Sequence, residues 1–189
     1  EPIRRSMIPN NQRLEHFYGT VESYILTEHT SNITLKDAII DIRIDNKVIW
    51  EILVQVAEGM QHLHNNNIIH RNLNWENIKF RYRGSKEDNL PLSKYEAIIT
   101  GVYDAECNVT DTTLKEDDMK DFGILIWQCF NNGELPKSTT IETELPIREV
   151  LMECLNEPKA VFNDDFISKL KSIKIDEPIS SSWNYCVIS

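Results

Sequence analysis

Residues 68–80 read Ile68-Ile69-His70-Arg71-Asn72-Leu73-Asn74-Trp75-Glu76-Asn77-Ile78-Lys79-Phe80. Apolar, β-like runs at Ile68–Ile69 and Ile78–Tyr82 flank a loop rich in hydrogen-bonding side chains. Immediately before it, from about Lys47 to His64, the apolar residues Val48, Ile49, Ile52, Leu53, Val56, Met60 and Leu63 fall on one face at the 3.6-residue period. That spacing predicts an amphipathic helix. Asp45 or Asn46 can cap its start, and Asn65-Asn66-Asn67 ends it.

Working outward, residues 83–94 are polar and rich in breakers, which predicts a loop, and Ala97–Thr100 predicts another short strand. Further helices are expected at about Asp118–Phe130, with Asn131-Asn132-Gly133 as C-cap, at Pro146–Leu155, and after a cap at Asn163. Upstream, His16–Gly19 and Tyr24–Thr27 predict two strands around a turn, and Thr34 opens a short helix to Ile40. The expected fold is α+β, mainly α-helical, with a few short strands packed on it. The domain is expected over residues 14–175, between an irregular segment at 1–13 and a tail at 176–189.

Composition narrows the function classes. A chain of 189 residues fits one domain, and at that length folding buries roughly 70% of the unfolded surface. A hydrophobic fraction of 41% and a charged fraction of 26% are those of an ordinary globular domain. A net charge of -10 disfavours nonspecific nucleic-acid binding, so no nucleic-acid partner is expected. The 4 cysteines form no Cys-x-x-Cys pair and suit a reducing cytosol. The strongest apolar run, Gly123–Trp127, falls far short of the roughly 20 residues that span a bilayer.

The stretch from Ile68 to Phe80 resembles the protein-kinase catalytic loop, whose pattern is His-Arg-Asp-Leu-x-x-x-Asn. The apolar pair, His70, Arg71, Leu73, Asn77 and Ile78 match; the aspartate position holds Asn72. Three further matches follow in the family's order. His16–Gly19 with Tyr24–His29 resembles the strands leading to the interlobe hinge. Asp118–Trp127 resembles the helix whose aspartate hydrogen-bonds the catalytic-loop backbone. Cys154 with Glu157-Pro158 resembles the closing segment. The resemblance implies a kinase-like C-lobe over about 35–175, preceded by a remnant of small-lobe strands and hinge at about 14–34. It places Glu28 and Thr30 at the nucleotide hinge and Asn77 on the metal side. It implies structural roles for His70, as a packed core histidine, for Arg71 and for Asp118.

Phosphoryl transfer is positioning plus charge neutralisation. The family supplies a glycine-rich loop, a lysine, an aspartate base, and metal held by an aspartate and an asparagine. Here Gly19 is the only glycine before Gly59, and the first lysine is Lys36, already past the hinge match, so the small lobe is read as largely absent. Asn72 stands at the base position; a carboxamide carries no charge and cannot usefully hold a proton. Asn74 stands where a lysine steadies the phosphate, and Gly101, aligned with the metal aspartate, offers no side-chain oxygen. Asp104 is a nearby substitute ligand by position. The segment between Tyr103 and Asp118 is short and lacks Ala-Pro-Glu; Thr110, Thr112 and Thr113 fall in it. Without a phosphorylated loop, Arg71 is expected to pair with a carboxylate or a carbonyl.

The last four residues, Cys186-Val187-Ile188-Ser189, fit a prenylation signal, making Cys186 a lipidation candidate and the only expected route to a membrane. The reading that follows is a kinase-like, catalytically inactive binding or scaffold module in the cytoplasm, with protein partners that include a kinase or kinase substrate and no cofactor. Its alternatives are an active kinase, using ATP and Mg²⁺, seen without its small lobe, and a decoy that mimics a kinase lobe.

Overall fold

The computed structural model describes residues 11–21, 24–82, 95–102, 105–107, 112–136, 147–156 and 161–175. The element order is β1 (Phe17–Val21), β2 (Tyr24–Thr27), α1 (Leu35–Asp37), a π-turn (Ala38–Ile42), α2 (Asn46–Asn65), β3 (Ile68–Ile69), a 3₁₀ turn (Trp75–Asn77), β4 (Ile78–Tyr82), β5 (Tyr95–Ile99), β6 (Glu106–Cys107), α3 (Thr112–Phe130), α4 (Arg148–Asn156) and α5 (Asp164–Ser172). The fold is α+β and mainly helical, with three two-stranded antiparallel pairs, β1–β2, β3–β6 and β4–β5.

Helix α2 is the axis of the packing. Its expected apolar face is buried at Ile49, Ile52, Leu53, Val56, Met60 and Leu63, and Val48 packs at the margin. The side chain of Asp45 accepts from Val48 N at 2.9 Å and so caps its start. Against α2 lie β5, β3, α3 and α5. The indole Nε1 of Trp50 donates to the Leu170 carbonyl at 3.1 Å, which ties α2 to α5 inside the core. Phe122, Phe162 and Phe166 meet edge to face, with centroids 5.3 to 6.2 Å apart, and join α3 to α5.

Several element boundaries differ from expectation. Helix α3 begins at Thr112, not near Asp118. Its first turns are polar and carry no apolar spacing; they are held by Lys115, whose Nζ donates to the His64 carbonyl at 2.8 Å and to Asn67 Oδ1 at 3.3 Å. Thr113, read as a loop residue, is therefore an exposed helical one. The helix expected to stop at Ile40 runs on as a π-turn to Ile42, closed by Arg43 at φ 56°. β6 had no counterpart in the sequence reading. At the end of α3, Gly133 has φ 86° and its N–H reaches the Gln128 carbonyl at 2.9 Å, as a C-cap glycine does. A Cβ there would stand 2.2 Å from the Trp75 ring, so Trp75 fills the space that glycine leaves.

Arg13, placed in the irregular segment at 1–13, is drawn into the fold with residues 14 and 15. They run beside β5, with Glu15 N–H to the Ile99 carbonyl and Ile99 N–H to the Arg13 carbonyl, each 2.8 Å. The loop expected at 83–94, Pro146 and the tail at 176–189 lie outside the described residues. Among the described residues no helix is long and apolar enough to cross a membrane.

Burial, with Asp118 and Asp117 nearby, raises the Asp121 carboxyl from 3.8 to about 6. The folded protein then holds this proton more tightly than the unfolded chain. Its contribution is most favourable at low pH and is lost as pH rises from about 4 through about 6. Asp121→Asn is expected to raise the melting temperature at neutral pH, with the gain shrinking toward pH 4. Thermal melts of parent and variant across that range check it.

Candidate functional site

The site is built on Asp118, near the middle of α3 and fully buried. Its Oδ2 accepts the His70 N–H at 2.9 Å and its Oδ1 accepts the Arg71 N–H at 2.8 Å. His64, in the last turn of α2, places Nε2 2.8 Å from Oδ2. Two backbone donors and one ring N–H thus converge on a single carboxylate, and buried charge is tolerated only when satisfied in this way. The other ring nitrogen of His64, Nδ1, is buried with no partner among the described residues, and Phe162 packs edge-on to the ring at 5.2 Å. The ring's hydrogen bond to Asp118 runs through Nε2. His64 was not singled out in the sequence, although it stands in the His-Leu-His-Asn that precedes the loop.

His70 is a packed core residue, as the resemblance implied, with 1% exposure. Its Nε2 faces the Thr100 carbonyl at 3.0 Å, and its Nδ1 accepts the Asn72 N–H at 3.3 Å. The ring therefore links the loop to the chain leaving β5. Arg71 has a left-handed backbone, φ 65°, fixed by the Asp118 bond behind it. Its guanidinium meets Glu106 on β6 at 2.6 Å, which is the carboxylate partner expected for it. That pair is exposed on both sides, at 59% and 44%.

The structure brings Asn72, Asn74, Asn77 and Gly101 into one cluster. Asn74 is the N-cap of the 3₁₀ turn: its Oδ1 accepts the N–H groups of Glu76 and Asn77 at 2.9 and 3.1 Å. Its Nδ2 donates to Asn72 Oδ1 at 2.8 Å and to the Asn72 carbonyl at 3.1 Å. Asn77 Nδ2 donates to the same carbonyl at 2.9 Å. The asparagine at the lysine position is thus spent on local backbone and on its neighbour. Gly101 has φ 79°, and a Cβ built there would meet the Asn77 carboxamide at 3.7 Å, an ordinary contact. Its N–H lies 3.3 Å from Glu15 Oε2.

This donor set does not fit a resident magnesium ion. Mg²⁺ is held through carboxylate oxygens in near-octahedral geometry. The cluster offers carboxamides, and among the described residues no group of three or more His, Cys, Asp or Glu side chains could hold a metal. Asp104 lies outside the described residues, as does Cys186. At the hinge, Thr30 is buried. Glu28 gives its N–H to the His16 carbonyl at 2.8 Å and its carboxylate to Arg81. Lys36 pairs with Glu76 at 2.7 Å, with its ammonium 5.9 Å from the Trp75 ring centroid. The thiols of Cys107, Cys129 and Cys154 are all pushed up by burial, which makes them poor nucleophiles.

The two carboxylates that hold the loop are expected to differ sharply in weight. Asp118→Ala strands two backbone N–H groups and the His64 ring in the core and should cost about 3–5 kcal/mol in urea unfolding. Glu106→Ala, at the exposed pair, should cost no more than about 1 kcal/mol.

Residues 7–84 match the family described as protein tyrosine and serine/threonine kinase. The chain is 25% identical over 174 residues to the eukaryotic translation initiation factor 2-alpha kinase 1 of Plasmodium falciparum, across 82% of this chain and 11% of that protein. It is 30% identical over 112 residues to the probable serine/threonine-protein kinase ifkB of Dictyostelium discoideum, across 52% and 8%. It is 30% identical over 107 residues to the tyrosine-protein kinase SYK of Gallus gallus, across 49% and 18%. The chain therefore spans a small part of the length of these relatives. The matched segment and these relatives, with the catalytic-type loop and the buried aspartate that organises it, support a likeness to the protein kinase-like superfamily.

Proposed function

We propose that this kinase-like chain is a protein-binding or scaffold module that does not transfer phosphate. The observation that carries the reading is the carboxamide cluster. Asn72, Asn74 and Asn77 hydrogen-bond to one another and to their own backbone, where transfer needs a base, a lysine and a metal ligand. A neutral amide at the base position cannot take the proton of an attacking hydroxyl. Among the described residues the asparagine cluster itself supplies no carboxylate, which leaves little hold on Mg²⁺, and without Mg²⁺ the charge of ATP is unmatched. The module works in the cytoplasm, and its partners are proteins, including kinases or their substrates. Its net charge of -10 supports a protein partner over nucleic acid. Membrane attachment would come only through a lipid on Cys186, and mass spectrometry of the protein from eukaryotic cells reads that directly.

A second reading draws on the relatives, which are named as kinases. On it the chain is part of an active enzyme whose nucleotide-binding lobe lies elsewhere in the polypeptide. The two readings separate in one experiment. In a thermal-shift titration with ATP, with and without Mg²⁺, the binding module shows no shift. A magnesium-dependent shift, or phosphoryl transfer by the full-length gene product, would favour the kinase. The double variant Asn72→Asp, Gly101→Asp is expected to remain without transfer activity, because it restores neither the lysine nor the glycine-rich loop.

A further inference from the structure

The β1–β2 hairpin meets the rest of the protein at a joint that carries charged side chains. An open cavity of about 410 Å³ lies beside it, lined by Asn11, Gln12, His16, Tyr18, Glu28 and Arg81. Tyr18 and Leu26, which could have sealed the joint, are 53% and 45% exposed. At the base of the hairpin the backbone is tied by Glu15 N–H to the Ile99 carbonyl and by Ser31 N–H to the Phe80 carbonyl. Above that base, side chains of alternating sign run in file. Lys171 meets Glu58 at 2.8 Å, Glu58 meets Arg13 at 3.1 Å, and Arg13 meets Glu96 at 3.3 Å. Glu96 lies 3.9 Å from Arg81, and Arg81 grips Glu28 with two nitrogens, Nη2 and Nε, the latter at 3.1 Å. Glu28 Oε1 then accepts the His16 N–H at 2.9 Å, at the open end of the hairpin where both residues flank its strands.

The inner members are well shielded. The side chains of Glu96, Glu28 and Arg13 are 9%, 14% and 15% exposed. Charges so placed interact more strongly than surface pairs, and removing one strands its neighbours. Lys171, at 55% exposure, is a dispensable end. We propose that this six-residue charge ladder is a conformational strap. It sets the position of the hairpin, and of the Glu28–Thr30 link that follows it, against α2, and cutting it at Arg81 frees the hairpin while the helical body stays folded. The strap acts whether or not any nucleotide binds.

Hydrogen exchange read by mass spectrometry on the whole chain tests this. Arg81→Leu is expected to speed exchange in residues 17–27 by about tenfold, a figure discounted for the 28% exposure of Arg81, while α2 is unchanged. Glu28→Gln, a smaller change that keeps Arg81 on Glu96, should speed the same segment by a smaller factor. Lys171→Leu should leave both segments as they are. The proposal is overturned if neither Arg81→Leu nor Glu28→Gln alters exchange in the hairpin. It is equally overturned if hairpin and α2 accelerate together, since the ladder would then be a general stabiliser and not a strap.

Discussion

A carboxylate removed from water must have each of its oxygens engaged, and in this protein that requirement organises the centre of the fold. Asp118 is fully buried and accepts from His64, His70 and Arg71. Those donors come from the end of α2 and from the loop after β3, so one side chain fixes the meeting of α2, α3 and the loop. Its two backbone bonds also hold Arg71 in a left-handed conformation that a non-glycine residue seldom adopts. Further along the loop, Asn77 lies beside the chain leaving β5, next to Gly101.

The side chains at 72, 74 and 77 of the loop are neutral carboxamides. In a phosphoryl-transfer site, fixed charges do the work, because the reaction moves charge among phosphate oxygens. Here the loop carries carboxamides, and the Nδ2 groups of Asn74 and Asn77 find acceptors on Asn72. Such a loop keeps its shape without a ligand. Its order therefore says little about phosphate chemistry, and the fold alone does not establish that chemistry. The features that hold this lobe together are the aspartate in α3, the core histidine and the amphipathic α2.

Much of the fold was legible because its signals are local. The apolar face of α2, its Asp45 cap, the Asn163 cap of α5 and the glycine after α3 each depend on residues within one or two turns. The start of α3 was not legible, since its polar first turns are held by Lys115 reaching back to α2. Arg13 was lost in a polar leader for the same reason: its partners Gln55, Glu58 and Glu96 are 42 to 83 residues away.

For the candidate site, the amino-acid sequence by itself determined which atoms are available. An asparagine at 72 has no proton to take up, and a glycine at 101 has no oxygen to offer, whatever surrounds them. It also determined that Asp118 and the His70-Arg71 pair would matter. Tertiary structure alone decided how these groups are used: that His64 shares Asp118, that Glu106 is the carboxylate facing Arg71, and that Asn74 is saturated by its own loop. Residue type sets hydrogen-bonding capacity, but partners are chosen by long-range packing, and no local pattern records that choice.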